Sequence, residues 1–177
     1  MVRMLAIDPG TKCGYSWLDV PTPMPPTLKP LRAQSGVWDL SVKRYEGGGM
    51  RFLRMKKYII ETEPGFVLYE EVRSHKGTSA AHVYGGIIAI IQTYCQEAGI
   101  QYIGVPVGTI KKRATGKGNS GKPVMIAAAN QQLIDTDDEL LVDSKNSDDD
   151  NIADAMWLLM IGLEEYGSIF DEGIRNE

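Results

Sequence analysis

Three groups of carboxylates in this chain are spaced as a metal-dependent active site requires. The first is Asp8, in Ala6-Ile7-Asp8-Pro9-Gly10-Thr11. The apolar run Met4-Leu5-Ala6-Ile7 carries a carboxylate to its own end, and Pro-Gly then turns the chain. On a buried strand Asp8 stands at the mouth of a core, where an unpaired charge is costly and a bound cation offsets the cost. Asp-Pro-Gly is equally good turn chemistry, so this segment alone leaves both readings open. The second group ends the apolar run Phe66-Val67-Leu68-Tyr69-Glu70-Glu71-Val72. Side chains alternate faces along a strand, so only one of Glu70 and Glu71 can share a face with Asp8. A solvated pair on a sheet edge is the other reading.

The third group, Asp148-Asp149-Asp150-Asn151-Ile152-Ala153-Asp154, opens an apolar helical pattern that runs on through Trp157 and Met160. Asp148 or Asp149 suits a helix N-cap. Asp154 lies a turn further in, on the same face as Asp150 at i,i+4, where like charges repel and favour a cation between them. Carboxylates from two strand ends and one helix suit a hard divalent ion with oxygen ligands. The two histidines, His75 and His82, lack zinc spacing. His75 follows closely on Glu70, and His82, within a helical run, reads as structural. "GKGNSGKP" is not a phosphate-binding loop, because its glycines are wrongly spaced and no strand directly precedes it.

In order, the segments "LAIDPGTKCGYSWLD", "VLYEEV", "SAAHVYGGIIAII", "IKKRATGKGNSGKPVM" and "DDDNIADAMWLLM" resemble the RuvC family of junction-resolving endonucleases, within the RNase H-like superfamily, over residues 3–165. The resemblance implies that Asp8, Glu70 and Asp154 are catalytic carboxylates. The family carries an acid or histidine three residues before the last of these. That position is Asn151 here, and Asp150 lies four before. Asp150 is preferred as the fourth ligand, with Asn151 as the alternative. The implied activity is phosphodiester hydrolysis with two ions per site, Mg²⁺ or Mn²⁺, about 3.5–4 Å apart. Asp8 would bridge both, Glu70 would hold one, and Asp150 with Asp154 would hold the other.

The charge distribution fits a nucleic-acid partner better than the net charge of −4 does. Residues 135–177 hold 14 acids and 2 bases, so the rest of the chain is basic, and no acid lies between Glu97 and Asp135. That window contains Lys111, Lys112, Arg113, Lys117 and Lys122. A basic face binds phosphate despite an acidic total, although such runs also occur as solvated loops. By resemblance, Lys111 and Lys122 match basic residues of the family's active face. Lys122 is expected to stabilise the scissile phosphate, and Lys112, Arg113 and Lys117 to position backbone phosphates. The loop Arg73-Ser74-His75-Lys76-Gly77 corresponds to one that the family inserts into the junction, often with an aromatic residue. Arg73 stands near that aromatic's place, and Arg73, His75 and Lys76 are expected to contact DNA.

The elements that must position these groups read as a single domain over 1–177, with no repeat or internal boundary. Hydrophobic content is 43%, and no apolar run reaches a membrane span. Cys13 and Cys95 make neither a metal spacing nor a disulfide framework, and Cys95 falls in an apolar helical pattern and reads as core. The start runs straight into a strand with no secretory pattern. A reducing cytoplasm, bacterial or of a phage-infected cell, is the expected compartment.

Strands are expected over 3–7, 14–18, 33–40, 66–72 and 101–105. Helices are expected over 50–61, from a cap at Thr78 or Ser79 to Ala98, over 107–112, from Lys122 to Leu133, and over 149–165. Five prolines between 21 and 30 make a rigid loop, and 114–121 a flexible one. This order of five strands and five helices gives an α/β fold, a mixed five-stranded sheet with helices on both faces, which is the RNase H-like arrangement. A homodimer is expected by resemblance, through the helix Ala80–Cys95, because a four-way junction offers two strands to cut symmetrically. Gly85-Gly86 reads alternatively as letting that helix lie close on its own sheet. The expected function is cleavage of four-way or other branched DNA in recombination or repair, without membrane or small-molecule cofactor. A flap- or RNA-processing nuclease of the same fold, or a non-catalytic nucleic-acid-binding module, are the alternatives.

Overall fold

A computed structural model of the chain describes residues 1–22, 33–74, 77–133, 141 and 148–166. Its elements run β1 (Val2–Asp8), β2 (Lys12–Val20), β3 (Gln34–Asp39), α1 (Met50–Thr62), β4 (Phe66–Glu71), α2 (Thr78–Ala98), β5 (Gln101–Pro106), α3 (Val107–Thr115), α4 (Lys122–Leu133) and α5 (Asp149–Tyr166). The sheet order is β3-β2-β1-β4-β5. β1, β2 and β3 form an antiparallel meander, while β4 and β5 lie parallel to β1 and to each other. The expected mixed five-stranded sheet is therefore present.

Period-2 alternation sorts the two faces. Leu5, Ile7, Val67 and Tyr69 pack with Met55 and Ile59 of α1 and with Ile87, Ile91 and Cys95 of α2. Met4, Ala6, Phe66 and Leu68 pack with Ile110 of α3, Met125, Ile126 and Ala129 of α4, and the apolar face of α5. Continuing the alternation by one step on each strand sends Asp8 and Glu70 towards α5. Glu71 falls on the opposite face.

Two glycines let α5 lie close over the sheet. A Cβ on Gly162 would stand 2.7 Å from Met4 Sδ and from Leu68 Cδ1. One on Gly14, in β2, would run into the main chain of Asn151. Gly14 pairs with Asp8 across the β1–β2 ladder, so the approach occurs beside the first carboxylate.

Several local expectations are corrected. Neither Thr78 nor Ser79 caps α2: Thr78 is its first residue, and the N-cap is Gly77, in extended backbone without a side-chain cap. α3 runs on to Thr115, beyond 112, and ends on Gly116 at φ 77°, a left-handed conformation that glycine adopts without strain. Gly86 faces not the sheet but α1, where its missing Cβ makes room for the Phe52 ring, and Gly85 faces open space. His82 is exposed rather than structural. Cys95 is buried as expected, and so is Cys13. Much of the proline-rich loop lies outside the described residues. No helix among those described is long and apolar enough to cross a membrane.

Candidate active site

Asp8, Glu70, Asp150 and Asp154 meet at one end of the sheet, on its α5 face. β1 and β4 run parallel with Ile7 beside Tyr69, so the residues that follow, Asp8 and Glu70, leave the sheet together. The first turns of α5 place Asp150 and Asp154 over this strand end. All four are partly buried.

Their electrostatics show the cost of the arrangement. The Asp8 carboxyl is held well above the usual carboxylate range, chiefly by desolvation and then by the neighbouring charges of Glu70, Asp154 and Asp150. When protonated, Asp8 donates a hydrogen bond to Glu70. Asp154 is pushed up to about 7, again by burial first, then by Glu70 and Asp150, against the opposing fields of Lys111 and Lys122. Its Oδ1 is buried and has no hydrogen-bond partner among the described residues.

Two lysines bring positive charge to the cluster. Lys122, at the start of α4, places its ammonium on Asp150 Oδ2, and that contact raises its pKa. Lys111, on α3, is half-buried and acts on Asp154. Asp150 thus stands among the groups that couple to Asp8 and Asp154. Asn151 is turned towards β2, with its carbonyl over Gly14.

Other anticipated residues are dispersed. Lys112 and Lys117 are exposed on α3 and the loop after it, and Arg73 is exposed after β4. His75 and Lys76 lie outside the described residues. Arg113 has a partner within the chain, donating to Glu164 of α5 through Nε at 2.7 Å and through Nη2, with its guanidinium 6.0 Å from the Trp157 ring. This ties α3 to α5 and engages the charge assigned above to a phosphate.

Two contributors escape a reading of the sequence. The Tyr84 hydroxyl, on α2, accepts a hydrogen bond from the Val72 N–H at 2.9 Å and donates one to the Glu70 carbonyl at 3.0 Å. It therefore fastens the chain on either side of Glu71, where the apolar spacing suggests only a packing residue. Lys12 pairs with Asp39 at 3.0 Å and lies 4.0 Å from Asp148, joining the turn after Asp8 to β3 and to the approach of α5. Neither contact has a local sequence signal, because both partners are distant in the chain.

No group of three or more His, Cys, Asp or Glu side chains among the described residues is arranged to hold a metal ion as it stands. The donor set nevertheless suits one. It is all oxygen, burial and the neighbouring acids raise the pKa of Asp8 and Asp154, and it includes a buried oxygen without a partner among the described residues. Hard divalent cations favour such donors.

No protein-family model matches the sequence, and no curated protein matches it. Solved structures do match. RuvC of Thermus thermophilus aligns with a TM-score of 0.66 at 19% identity, over 98% of this chain and 96% of that one. This is the RuvC fold. The same enzyme in complex with a Holliday junction substrate aligns at 0.67 and 18% identity, over 97% and 98% of the two chains. The RuvC fold also relates the chain to the yeast mitochondrial Holliday junction resolvase Ydc2, with a TM-score of 0.62 at 13% identity over 99% and 84%. The Fowlpox virus resolvase, solved with Holliday junction DNA, gives 0.61 at 17% over 93% and 97%. The matches cover 93–99% of this chain and 84–98% of the neighbours.

Proposed function

We propose that this protein is a divalent-metal-dependent endonuclease that cleaves four-way DNA junctions. The observation that carries the reading is the convergence of Asp8, Glu70, Asp150 and Asp154 on one strand end, with burial and mutual repulsion only partly offset by Lys111 and Lys122. A folded chain retains so costly a cluster where a cation offsets it. The shared fold with resolvases solved on junction DNA supports the substrate class.

In this reading Asp8, Glu70, Asp150 and Asp154 would together hold the divalent ions. Bound Mg²⁺ or Mn²⁺ would supply an activated water and charge stabilisation at the phosphate and the leaving oxygen. The chain's own work is positional. The parallel β1–β4 pairing holds Asp8 and Glu70 together, Tyr84 fixes the main chain at Glu70, and Gly14 lets α5 bring in the two aspartates. Lys122, already at the rim of the cluster on Asp150, is placed to neutralise charge gathering on a phosphate. Lys111, Lys112 and Lys117 supply backbone contacts, as do Arg73, His75 and Lys76 after β4.

A C2 homodimer through α2 puts two such sites on one junction. The outward stripe of α2, including His82, Gly85, Ala89 and Thr93, is exposed, and Gly85 has nothing near its Cβ position, so a second helix can approach closely. Cleavage of matched four-way junction, flap, duplex and RNA–DNA hybrid substrates with Mg²⁺, Mn²⁺ or EDTA tests the reading. Symmetric, metal-dependent nicking of the junction in preference to the others is the expected result. Preference for flaps or hybrids would point to the alternative nuclease, and binding without nicking to a non-catalytic module.

A further inference from the structure

At the same end of the sheet, on its α1–α2 side, opens a cavity of about 650 Å³. One wall is Pro9, Gly10 and Thr11, the residues directly after Asp8. Another is the first turns of α2, including Ser79 and Tyr84. The Tyr84 hydroxyl is the one that holds the Glu70 carbonyl, so the cavity lies against the same strand end whose other face carries the carboxylates. The third wall is Arg51, near the start of α1.

The lining differs in kind from the neighbouring cluster. Among the described residues it contains no acid, and Arg51 is its one charged side chain. Among the described residues Arg51 has no ion pair. The other arginine of α1, Arg54, is engaged by Glu46 and by the Ser41 carbonyl, Arg3 by Asp19 at 2.8 Å, and Arg113 by Glu164. Arg51 is half-buried, and a half-buried guanidinium without an acid partner is available to an anionic ligand. Hydroxyls of Thr11 and Ser79 add hydrogen-bonding capacity, and Pro9 and Val83 add apolar surface. An acid-free basic cleft next to a carboxylate cluster suits a phosphodiester better than it suits a metal or an acidic metabolite held alone, because a strand engaged at the carboxylates must continue past them. The volume is that of a ligand pocket, larger than a phosphate needs and ample for a sugar and base.

Resting on the nuclease reading above, we infer that this cleft holds one unpaired nucleotide of the DNA strand next to the scissile phosphate, with the guanidinium of Arg51 on its phosphodiester. The cleft then contributes to the choice of branched over duplex DNA, since a nucleotide still paired and stacked cannot leave its partner to fill it. Arg51 acts here as a binding residue, apart from the reacting atoms.

The test uses the full-length protein and junctions in which single phosphates flanking the cleavage site are replaced, one at a time, by neutral methylphosphonates. For the wild type, one position is expected to weaken junction binding about tenfold, the loss of one charged hydrogen-bonded contact. Arg51→Ala is expected to bind the unmodified junction about tenfold more weakly, to show no further loss from the methylphosphonate at that position, and to keep its losses at the others. Ser79→Glu, at an exposed position in the first turn of α2 where an acid suits the helix, is a second variant that does not disturb packing. It is expected to weaken junction binding while Ser79→Gln does not. Unchanged junction affinity and cleavage in both Arg51→Ala and Ser79→Glu, with the wild type active, would overturn the cleft assignment and leave the nuclease reading intact. A methylphosphonate effect that adds fully to Arg51→Ala at every position would do the same. A wild type that neither binds nor nicks branched DNA would overturn both.

Discussion

Gly14 of β2 and Asn151 of α5 touch through their main chains, and no side chain fits between them: a Cβ on Gly14 would lie inside van der Waals contact of the Asn151 carbonyl. Gly14 is also the cross-strand partner of Asp8. One contact therefore sets the height of Asp150 and Asp154 above the strand that carries Asp8. Gly14→Ala is expected to destabilise the fold by about 1–3 kcal/mol, the usual cost of overpacking. It should also lower cleavage more than junction binding, because a displacement of about 1 Å at reacting groups costs on the order of 100-fold. Denaturant unfolding and single-turnover cleavage of the purified variant measure the two effects.

Asp8→Asn is expected to abolish cleavage while junction binding persists. The substitution removes a charge that burial and the neighbouring acids disfavour, so the variant should also be at least as stable as wild type in EDTA. Near-normal cleavage by Asp8→Asn would end the two-metal reading.

The fourth ligand can be assigned by a pair of substitutions. Asp150 couples electrostatically to both Asp8 and Asp154, whereas Asn151 faces Gly14. Asp150→Asn and Asp154→Asn should both be severe in metal-dependent cleavage, and Asn151→Ala mild. The opposite ranking of Asp150 and Asn151 would transfer the role to Asn151.

The raised Asp154 carboxyl gives a signed pH dependence. Its folded pKa of about 7 exceeds the unfolded value near 3.8, so between these limits the native state holds the extra proton. In EDTA this group's contribution is most favourable below about pH 4 and is lost as pH rises to about 7, by an amount of order a few kcal/mol. The surface pairs Arg3–Asp19 and Arg54–Glu46, whose carboxyls are lowered, act in the opposite sense, losing stability as the pH falls through those lowered pKa values. Comparing denaturant midpoints of wild type and Asp154→Asn from pH 4 to 7.5 isolates the term. The variant's relative stability should increase with pH, and Mg²⁺ should stabilise the wild type more at pH 7.5 than at pH 5. A pH-independent difference would contradict the burial assigned to Asp154.

Lys122 and Lys117 should separate rate from binding. Lys122 sits on Asp150 at the cluster, and its loss is expected to lower the single-turnover rate at saturating protein by roughly 100-fold, as for a donor to developing charge. Lys117 lies exposed between Gly116 and Gly118, and Lys117→Ala should weaken junction binding modestly and reduce its salt dependence by about one phosphate contact. Equal binding losses with no rate loss for Lys122→Ala would make Lys122 another backbone contact.

Much of the architecture is legible in the sequence because it depends on local periodicity. The period-2 runs at 3–7 and 66–72 and the 3.6-period runs at 50–61 and 149–165 each bury one face, and burial of apolar surface is what aligns them. Boundaries shift at termini: β2, expected over 14–18, runs Lys12–Val20 along its ladder with β1, α2 begins without a side-chain cap, and α3 ends on a left-handed glycine. Asp8, Glu70 and Asp154 stand out for the same reason, since acids at the ends or in the turns of apolar elements are costly by themselves.

What only the tertiary structure decides is pairing between residues distant in the chain. It brings the Asp150 charge to bear on Asp8 and Asp154 and engages Arg113 with Glu164. It also turns Tyr84 from a packing residue into the fastening of Glu70. Among the described residues Arg51 is left without an acid at the mouth of a cleft, while Arg54, one helical turn on, is neutralised. Neither composition nor spacing encodes these outcomes, because each depends on which side chains the packed sheet and helices bring within about 3 Å of one another, where hydrogen bonds and ion pairs form.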